Sequence, residues 1–310
     1  MEAQAVVLEE PRRLALRTLA LEAAGEGDIV VETLFSGIST GTEKLLYEGR
    51  MPSFPGMGYP LVPGYESVGR VVQGGGGFAA GETVFAPGAR CYGDVRGLFG
   101  GAAERMVLPA ARAIRVEESL GAQGVLVALA ATAHHALHDC GRRALPDLVI
   151  GHGVLGRLIA RLSAAFGHAP VVHETEASRR GGAEGYEVAA PEDDDGRYAR
   201  VLDASGAEGT LDRAVARLTK GGEIVLAGFY EHSLSFAFPP AFMAEARIRI
   251  AAEFTAEDMA AVTGLVAEGA LSLDGLITHS RPAGDAAAAY ETAFADPACL
   301  KMTLDWRTTS

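Results

Sequence analysis

Two stretches carry residues whose types and spacing can do chemistry. In LVIGHGVLGRLIARL, Gly151, Gly153 and Gly156 form G-x-G-x-x-G. The first glycine suits a tight turn, the second lets backbone approach a pyrophosphate, and the third lets a helix pack closely on a strand. A pyrophosphate placed there meets free N–H groups at the positive end of that helix. The context fits. An apolar strand, Leu148 to Ile150, precedes the turn, and Val154, Leu155, Leu158, Ile159 and Leu162 share one helical face after it. Glu174 ends the next apolar run, PVVHE. A carboxylate there accepts bonds from both ribose hydroxyls and repels a 2′-phosphate, which points to NAD. Arg179 and Arg180 pull the other way, since an arginine nearby can hold that phosphate. The cofactor-binding set here is Gly151, Gly153, Leu155, Gly156 and Glu174. The second stretch is His134, His135 and His138, an H-H-x-x-H run in which His134 and His138 stand one helical turn apart and can share a metal. No carboxylate or cysteine stands at matching spacing, so the expectation is a solvated or hydrogen-bonded helix face and no metal.

The elements that must position these residues change character near residue 120. Before it, AVVL, IVVETLF, SVGRVV, ETVFA and RMVL are short β-type runs, punctuated by proline and glycine. They predict a small all-β barrel with long loops. Ala122 to Leu137 reads as a helix. After it strands alternate with helices: LPDLVIG, VLGRLIARLSAAFG, PVVHE, YARVLDASG, TLDRAVARLTKGG, EIVLAGF, RIRIAAEF and TAEDMAAVTGLVAEG. That spacing implies βαβ units and a doubly wound parallel sheet, an α/β fold. A short helix, DAAAAYETAFAD, and a last strand, LKMTLDW, close the chain.

Composition bounds the function. The 310 residues carry a formal net charge of −13, which disfavours nucleic acid. Cys91, Cys140 and Cys299 are far apart and odd in number, against a disulfide framework. No apolar run is long enough to span a bilayer and the N-terminus lacks a signal-peptide pattern, so the expected place is the cytoplasm.

VLDASG followed by LTKGGEIVLAGF resembles the medium-chain dehydrogenase/reductase superfamily. The resemblance covers essentially the whole chain. It implies a GroES-like β-rich catalytic domain at 1–118 and 285–310 and a Rossmann NAD-binding domain at 119–284. It implies that Ala204, Ser205, Ala227 and Gly228 lie near the nicotinamide. It also implies a homodimer paired through an edge strand, for which RIRIAAEF is suited. The longer strings SGISTGTEKL, MPSFPGMGYPLVPGYE, DVRGLFGGAAER and SFAFPPAFMAEARIRIAAEF are similar to a branch that acts in bacteriochlorophyll biosynthesis. What that similarity implies is NAD-dependent oxidation of the 3-(1-hydroxyethyl) group of a chlorophyllide-type substrate to 3-acetyl. Composition and spacing do not reach that substrate.

Zinc-bearing members of the superfamily use a Cys, a His in Gly-His-Glu, and a third Cys or Glu. Here Ser39 or Thr40 replaces the Cys, Tyr65 replaces the His, and the third position falls near Ala128. Serine, tyrosine and alanine do not build the site zinc prefers, so no metal is expected. Without zinc, the hydroxyl proton of an alcohol needs hydrogen-bond partners and an acceptor. The candidates are Tyr65, Glu66, Thr42, Ser39 and Lys44. A phenol with a pKa of about 10 is a poor base unless a cation lowers it, and Lys44 is the candidate cation. Glu66 either orients the group, accepts the proton or is structural; Tyr65 either holds the substrate oxygen or is an aromatic wall. His134 or His135 is a further possible base, and His134 a possible substrate contact. Phe54, Met57, Tyr59, Leu98 and Phe99 can line a pocket for a flat macrocycle, with Arg96 meeting a propionate. Two other readings stay open: a zinc-free NAD(P)H quinone or enoyl reductase, and a non-catalytic dinucleotide- or pigment-binding protein.

Overall fold

The chain begins with two alternating runs, β1 (Glu2–Glu10) and β2 (Arg13–Ala20), paired antiparallel. The structure is a computed structural model and describes residues 1–53, 55–97, 99–139 and 141–307. The long β3 (Asp28–Ile38) buries most of its length, and α1 (Thr42–Glu48) follows it directly. That helix has no counterpart in the sequence reading. Leu45 and Leu46 turn inward, and Gly49 ends the helix at φ 72°, a left-handed conformation glycine adopts without a Cβ penalty. β4 (Ser67–Gln73), β5 (Thr83–Ala86), β6 (Arg105–Pro109) and β7 (Ile114–Arg115) complete the front part.

The helix expected from Ala122 is instead a 3₁₀ stretch, Glu118–Leu126, running into α2 (Val127–Ala136). Gly121, at φ 50° and ψ −126°, interrupts it. A small hairpin, β8 (His138–Asp139) and β9 (Arg142–Arg143), comes next. The alternating half then runs β10 (Leu148–Ile150), α3 (Val154–Ala165), β11 (Val171–His173), β12 (Glu187–Ala189), β13 (Tyr198–Asp203), α4 (Thr210–Ala216), β14 (Leu218–Leu226), α5 (Phe238–Ala244), β15 (Arg247–Ile250) and α6 (Ala256–Ala267). Its six strands pair in parallel in the order β12-β11-β10-β13-β14-β15. The winding reverses at β10, and a doubly wound sheet binds its ligand at the carboxyl ends beside such a reversal. Leu148, Val201, Ile224 and Leu226 are buried in the core of this sheet with Leu211 and Val215 of α4.

The tail, β16 (His279–Pro282), α7 (Ala286–Ala295) and β17 (Met302–Asp305), returns to the first unit. β17 pairs with β3, giving a seven-stranded sheet in the order β16-β17-β3-β4-β5-β7, with β6 also on β3. Its core gathers Ile29, Val30, Val31, Met106 and Leu108 on one side and Ile38, Tyr290, Met302 and Leu304 on another. Each such side chain contributes roughly 1.5–3 kcal/mol by leaving water. The two compact units are 1–127 with 276–310, and 128–275. Both breaks fall inside the span expected for the second domain; the first does so because the 3₁₀ stretch packs on β3 and β4 of the first unit. Among the described residues no helix is long and apolar enough to cross a membrane.

Candidate active site

In the second unit, the expected cofactor residues gather at the carboxyl ends of parallel strands β10, β11, β13 and β14 and at the start of α3. Gly151 follows β10 with φ 98°, its Cα facing Ser205: a Cβ there would stand 3.1 Å from the Ser205 backbone. A Cβ on Gly156 would stand 1.9 Å from the Gly151 carbonyl oxygen, so only glycine lets α3 sit this close to the turn. Around Gly153 there is open space. Gly153 is also the residue before α3, and among the described residues no side chain caps that helix. The amides of its first turn, Leu155 included, are therefore available to an acceptor.

Glu174 follows β11 and is buried. Its carboxylate accepts the His152 amide at 2.9 Å and the Glu176 amide at 2.8 Å. A carboxylate has about four acceptor positions, so two remain for ribose hydroxyls. Arg180 lies close by, donating to the Glu174 and Thr175 carbonyls. After β13, Ser205 donates through both its amide and its hydroxyl to Asp203 Oδ1. Asp203 also accepts the Tyr230 hydroxyl at 2.6 Å, and its carbonyl accepts the Ala227 and Gly228 amides. Ala204, Ser205, Ala227 and Gly228 thus form one bonded rim. These features fit a dinucleotide: an open glycine turn, uncapped amides and a part-free carboxylate.

Two residues unremarked in the sequence hold that turn. His152 is buried, with Nδ1 on the Arg179 carbonyl and Nε2 on the Tyr186 hydroxyl; burial pushes its pKa down to about 4, so the ring is neutral. Arg157 donates to the carbonyls of His152, Arg179, Gly181 and Gly182, clamping the loop after β11 against the glycine turn. The available signal is a pair of arginines, Arg157 and Arg161, one turn apart on the otherwise apolar buried face of α3.

In the first unit, Tyr65 donates its hydroxyl to Ser39 Oγ at 2.7 Å and also bonds Thr42. The pair that stands in place of two metal ligands is therefore bonded to itself. Ser39, half-buried, takes this role, while Thr40 is exposed. The Tyr65 ring packs on Phe99 at 5.0 Å between centroids. Burial, then the charge of Glu66, raises the Tyr65 pKa above the ordinary phenol value. This corrects the expectation for Lys44, whose ammonium bonds the Phe294 carbonyl rather than acidifying Tyr65. The buried cation is Lys301 instead. It meets Glu66 Oε2 at 2.5 Å, with side chains 3% and 1% exposed. Glu66 is thereby an ion-pair partner, not a free base.

A second buried carboxyl, Glu43, accepts the Tyr290 hydroxyl at 2.7 Å and the Ser39 amide at 3.3 Å. Burial, with help from the Glu66 charge, pushes its pKa up to about 7 despite those bonds and Lys301. Two carboxyls thus share one ammonium. Lys301 and Tyr290 come from the tail, and their only sequence signals are a charge inside an apolar strand and an aromatic in an alanine-rich helix.

Among the expected substrate residues, Tyr59 gives its hydroxyl to the Leu46 carbonyl at 2.5 Å and packs with Met57 and Phe99 on the Leu8, Leu46 and Leu61 core. Its phenol is therefore not offered to a ligand, and Met57 shares that packing role. Arg96 is exposed, with its guanidinium over Gly58. Phe54 and Leu98 lie outside the described residues. His134, expected as a base or substrate contact, belongs to the second unit and bonds Asp258 at 2.7 Å.

Comparison with known proteins agrees with this geometry. Residues 25–118 match the alcohol dehydrogenase GroES-like domain. The 2-desacetyl-2-hydroxyethyl bacteriochlorophyllide A dehydrogenase of Cereibacter sphaeroides is 58% identical, covering 100% of both chains. The enzyme of the same name from Rhodobacter capsulatus is 57% identical over 99% of each. The chain belongs to this dehydrogenase family. It is an oxidoreductase acting on CH–OH donors. Its fold is shared with 2R,3R-butanediol dehydrogenase from Bacillus subtilis, with a TM-score of 0.83, 20% identity and coverage of 98% and 99%.

Proposed function

We propose that the chain oxidises the 3-(1-hydroxyethyl) group of a chlorophyllide or bacteriochlorophyllide to 3-acetyl, with NAD as hydride acceptor and without catalytic zinc. The observation that carries the substrate is full-length identity to two enzymes named for the hydroxyethyl bacteriochlorophyllide. NAD rather than NADP is supported by the Glu174 carboxylate, which would repel a 2′-phosphate.

The zinc-free part is supported by the donor set. Ser39 and Tyr65 offer two hydroxyls already bonded to each other, and buried Ala128 offers only a methyl group. Zinc prefers nitrogen, sulfur and carboxylate donors, so these residues do not fit it. They suit a different task. Tyr65, kept protonated at neutral pH, can turn its one O–H from Ser39 to a substrate oxygen, and a donor gains most when the oxygen it meets becomes alkoxide-like. NAD, when bound, would supply the acceptor for the hydride that leaves the C–H bond. The Tyr65, Ser39 and Thr42 hydroxyls can relay the O–H proton toward water, each taking one proton as it releases its own while the C=O bond forms. Glu43 accepts the Ser39 amide and the Tyr290 hydroxyl, and its part is the charge it sets beside Tyr65. The ring of Tyr65, with Phe99, forms a wall as well, so the two roles considered for it are compatible.

The exposed apolar side chains of Ile248 and Ile250 on the edge strand β15, with Phe242 and Met243 of α5, support a homodimer paired at that edge. Cys91 is a free, buried thiol, which supports the cytoplasm as the compartment.

The test is optical. Purified protein, NAD and 3-hydroxyethyl chlorophyllide should give a red shift of the long-wavelength band together with NADH, because the new carbonyl conjugates with the ring. No change in either signal, with folded and cofactor-bound protein, would sink the reading and leave a non-catalytic binder. Turnover should survive chelation; loss that added zinc restores would overturn the zinc-free part. Tyr65→Phe should lower kcat roughly 100-fold with KM little changed. Equal loss of pigment binding would leave Tyr65 as wall alone.

A further inference from the structure

The sequence offers no acidic partner for the histidines of α2, but the fold brings one from α6. Asp258 Oδ1 lies 2.7 Å from His134 Nδ1, and Oδ2 lies 2.8 Å from His135 Nδ1. His138, one turn after His134, has its Nδ1 2.8 Å from the His134 carbonyl oxygen. These partners decide the tautomers. A backbone carbonyl only accepts, so His138 carries its proton on Nδ1. Asp258 also accepts the Thr255 amide and hydroxyl, so it is the acceptor here, and His134 too carries its proton on Nδ1.

Both imidazoles consequently leave Nε2 outside these bonds, on rings whose centroids are 4.3 Å apart. Donor atoms of His134, His138 and Asp258, one from each, lie within 4.8 Å of one another. A ring N–H held by a carboxylate or backbone carbonyl, with the other nitrogen free, is how metal-binding histidines are oriented.

We propose that Nε2 of His134 and His138 form a binding site for one divalent transition-metal ion of the imidazole-preferring class, Zn²⁺, Ni²⁺ or Cu²⁺, with Asp258 as the orienting group behind it. Calcium and magnesium are excluded by their preference for oxygen donors. Asp258 orients and does not ligate. Its Oδ1 serves His134, while its Oδ2 serves His135 and both the amide and hydroxyl of Thr255. Water fills the remaining positions. Arg143, stacked over Phe166 at 3.6 Å, is a neighbouring cation that weakens the site. With two protein ligands in place of four, the affinity is about micromolar. The site lies wholly within the second unit and is independent of the hydroxyl cluster, so it stands or falls apart from the zinc-free chemistry. It departs from the expectation of no metal at the H-H-x-x-H run, because an orienting carboxylate comes from a distant segment.

The test uses the full chain without an affinity tag, titrated with Zn²⁺ or Ni²⁺ against a chromophoric chelator. One ion per chain should bind. His138→Gln should weaken binding at least about tenfold, and Asp258→Asn by a similar factor through loss of orientation. His135→Gln should leave it within about twofold. If the unmodified chain binds no better than folded His138→Gln, or if His135→Gln weakens binding as much as His138→Gln does, the site is refuted. Asp258→Asn also removes a helix cap, so His138→Gln decides the matter and circular dichroism checks the fold of each variant.

Discussion

The glycine turn of the second unit and the hydroxyl cluster of the first are built by opposite means. The turn is made of backbone. Its glycines lie within one short stretch, and its chemistry comes from uncapped amides and one carboxylate at a strand end. The cluster is made of side chains from three distant segments: Ser39 to Glu43, Tyr65 with Glu66, and Tyr290 with Lys301. The comparison teaches that backbone geometry makes a site local and tolerant of what lies far away. A buried charge network makes a site depend on the tail of the chain.

The sharpest way to break this contrast is to remove the distant cation. Lys301→Met leaves Glu66 buried and unpaired, and should cost about 3–5 kcal/mol of stability. Chemical denaturation measures this, and adding Glu66→Gln should recover much of the loss. A cost below about 1 kcal/mol would mean that the first unit does not depend on its tail in this way.

An intermediate effect is expected from Glu43, and it depends on pH. Its folded pKa, about 7, lies above the ordinary 4.5, so the folded state holds the proton more tightly. The stability it contributes is fully present below pH 4.5 and is lost as pH rises to about 7. The loss is roughly 3 kcal/mol at most. Buried His134, His152 and His173 have depressed pKa values and contribute the opposite slope, so the difference between parent and variant is what isolates Glu43. Glu43→Gln should gain stability relative to the parent between pH 5 and 8, measured by denaturation across that range. Parallel stability curves would remove Glu43 from the network.

The smallest stability effect, yet the largest on binding, is expected at the turn. Gly156→Ala puts a Cβ 1.9 Å from the Gly151 oxygen, so helix and turn must separate. The fold should lose roughly 1–3 kcal/mol. Dinucleotide affinity, followed by NADH fluorescence, should fall more than about tenfold, since the amides that face the pyrophosphate move with the helix. Unchanged affinity would contradict the assignment of the turn.

Legibility in the sequence follows the same division. Helix and strand periods and the glycine spacing pointed to the doubly wound sheet and its glycine turn, because those signals arise within a few positions of one another; Ala204, Ser205, Ala227 and Gly228 were reached only through the family resemblance. The replacement of two metal ligands by Ser39 and Tyr65 was likewise readable from local strings. Lys44 misled because a lysine near in sequence is not a lysine near in space: its ammonium bonds Phe294, and Lys301 is the cation that burial forces onto Glu66. Asp258, Glu43 and Tyr290 acquire their partners the same way, through contacts between residues 124 and 247 positions apart. The sequence by itself determined which backbone turns exist and which ligand types are missing, since both are properties of neighbouring residues. Only the tertiary structure decided which charges share a low-dielectric interior, because there an ion must find a partner wherever the fold provides one.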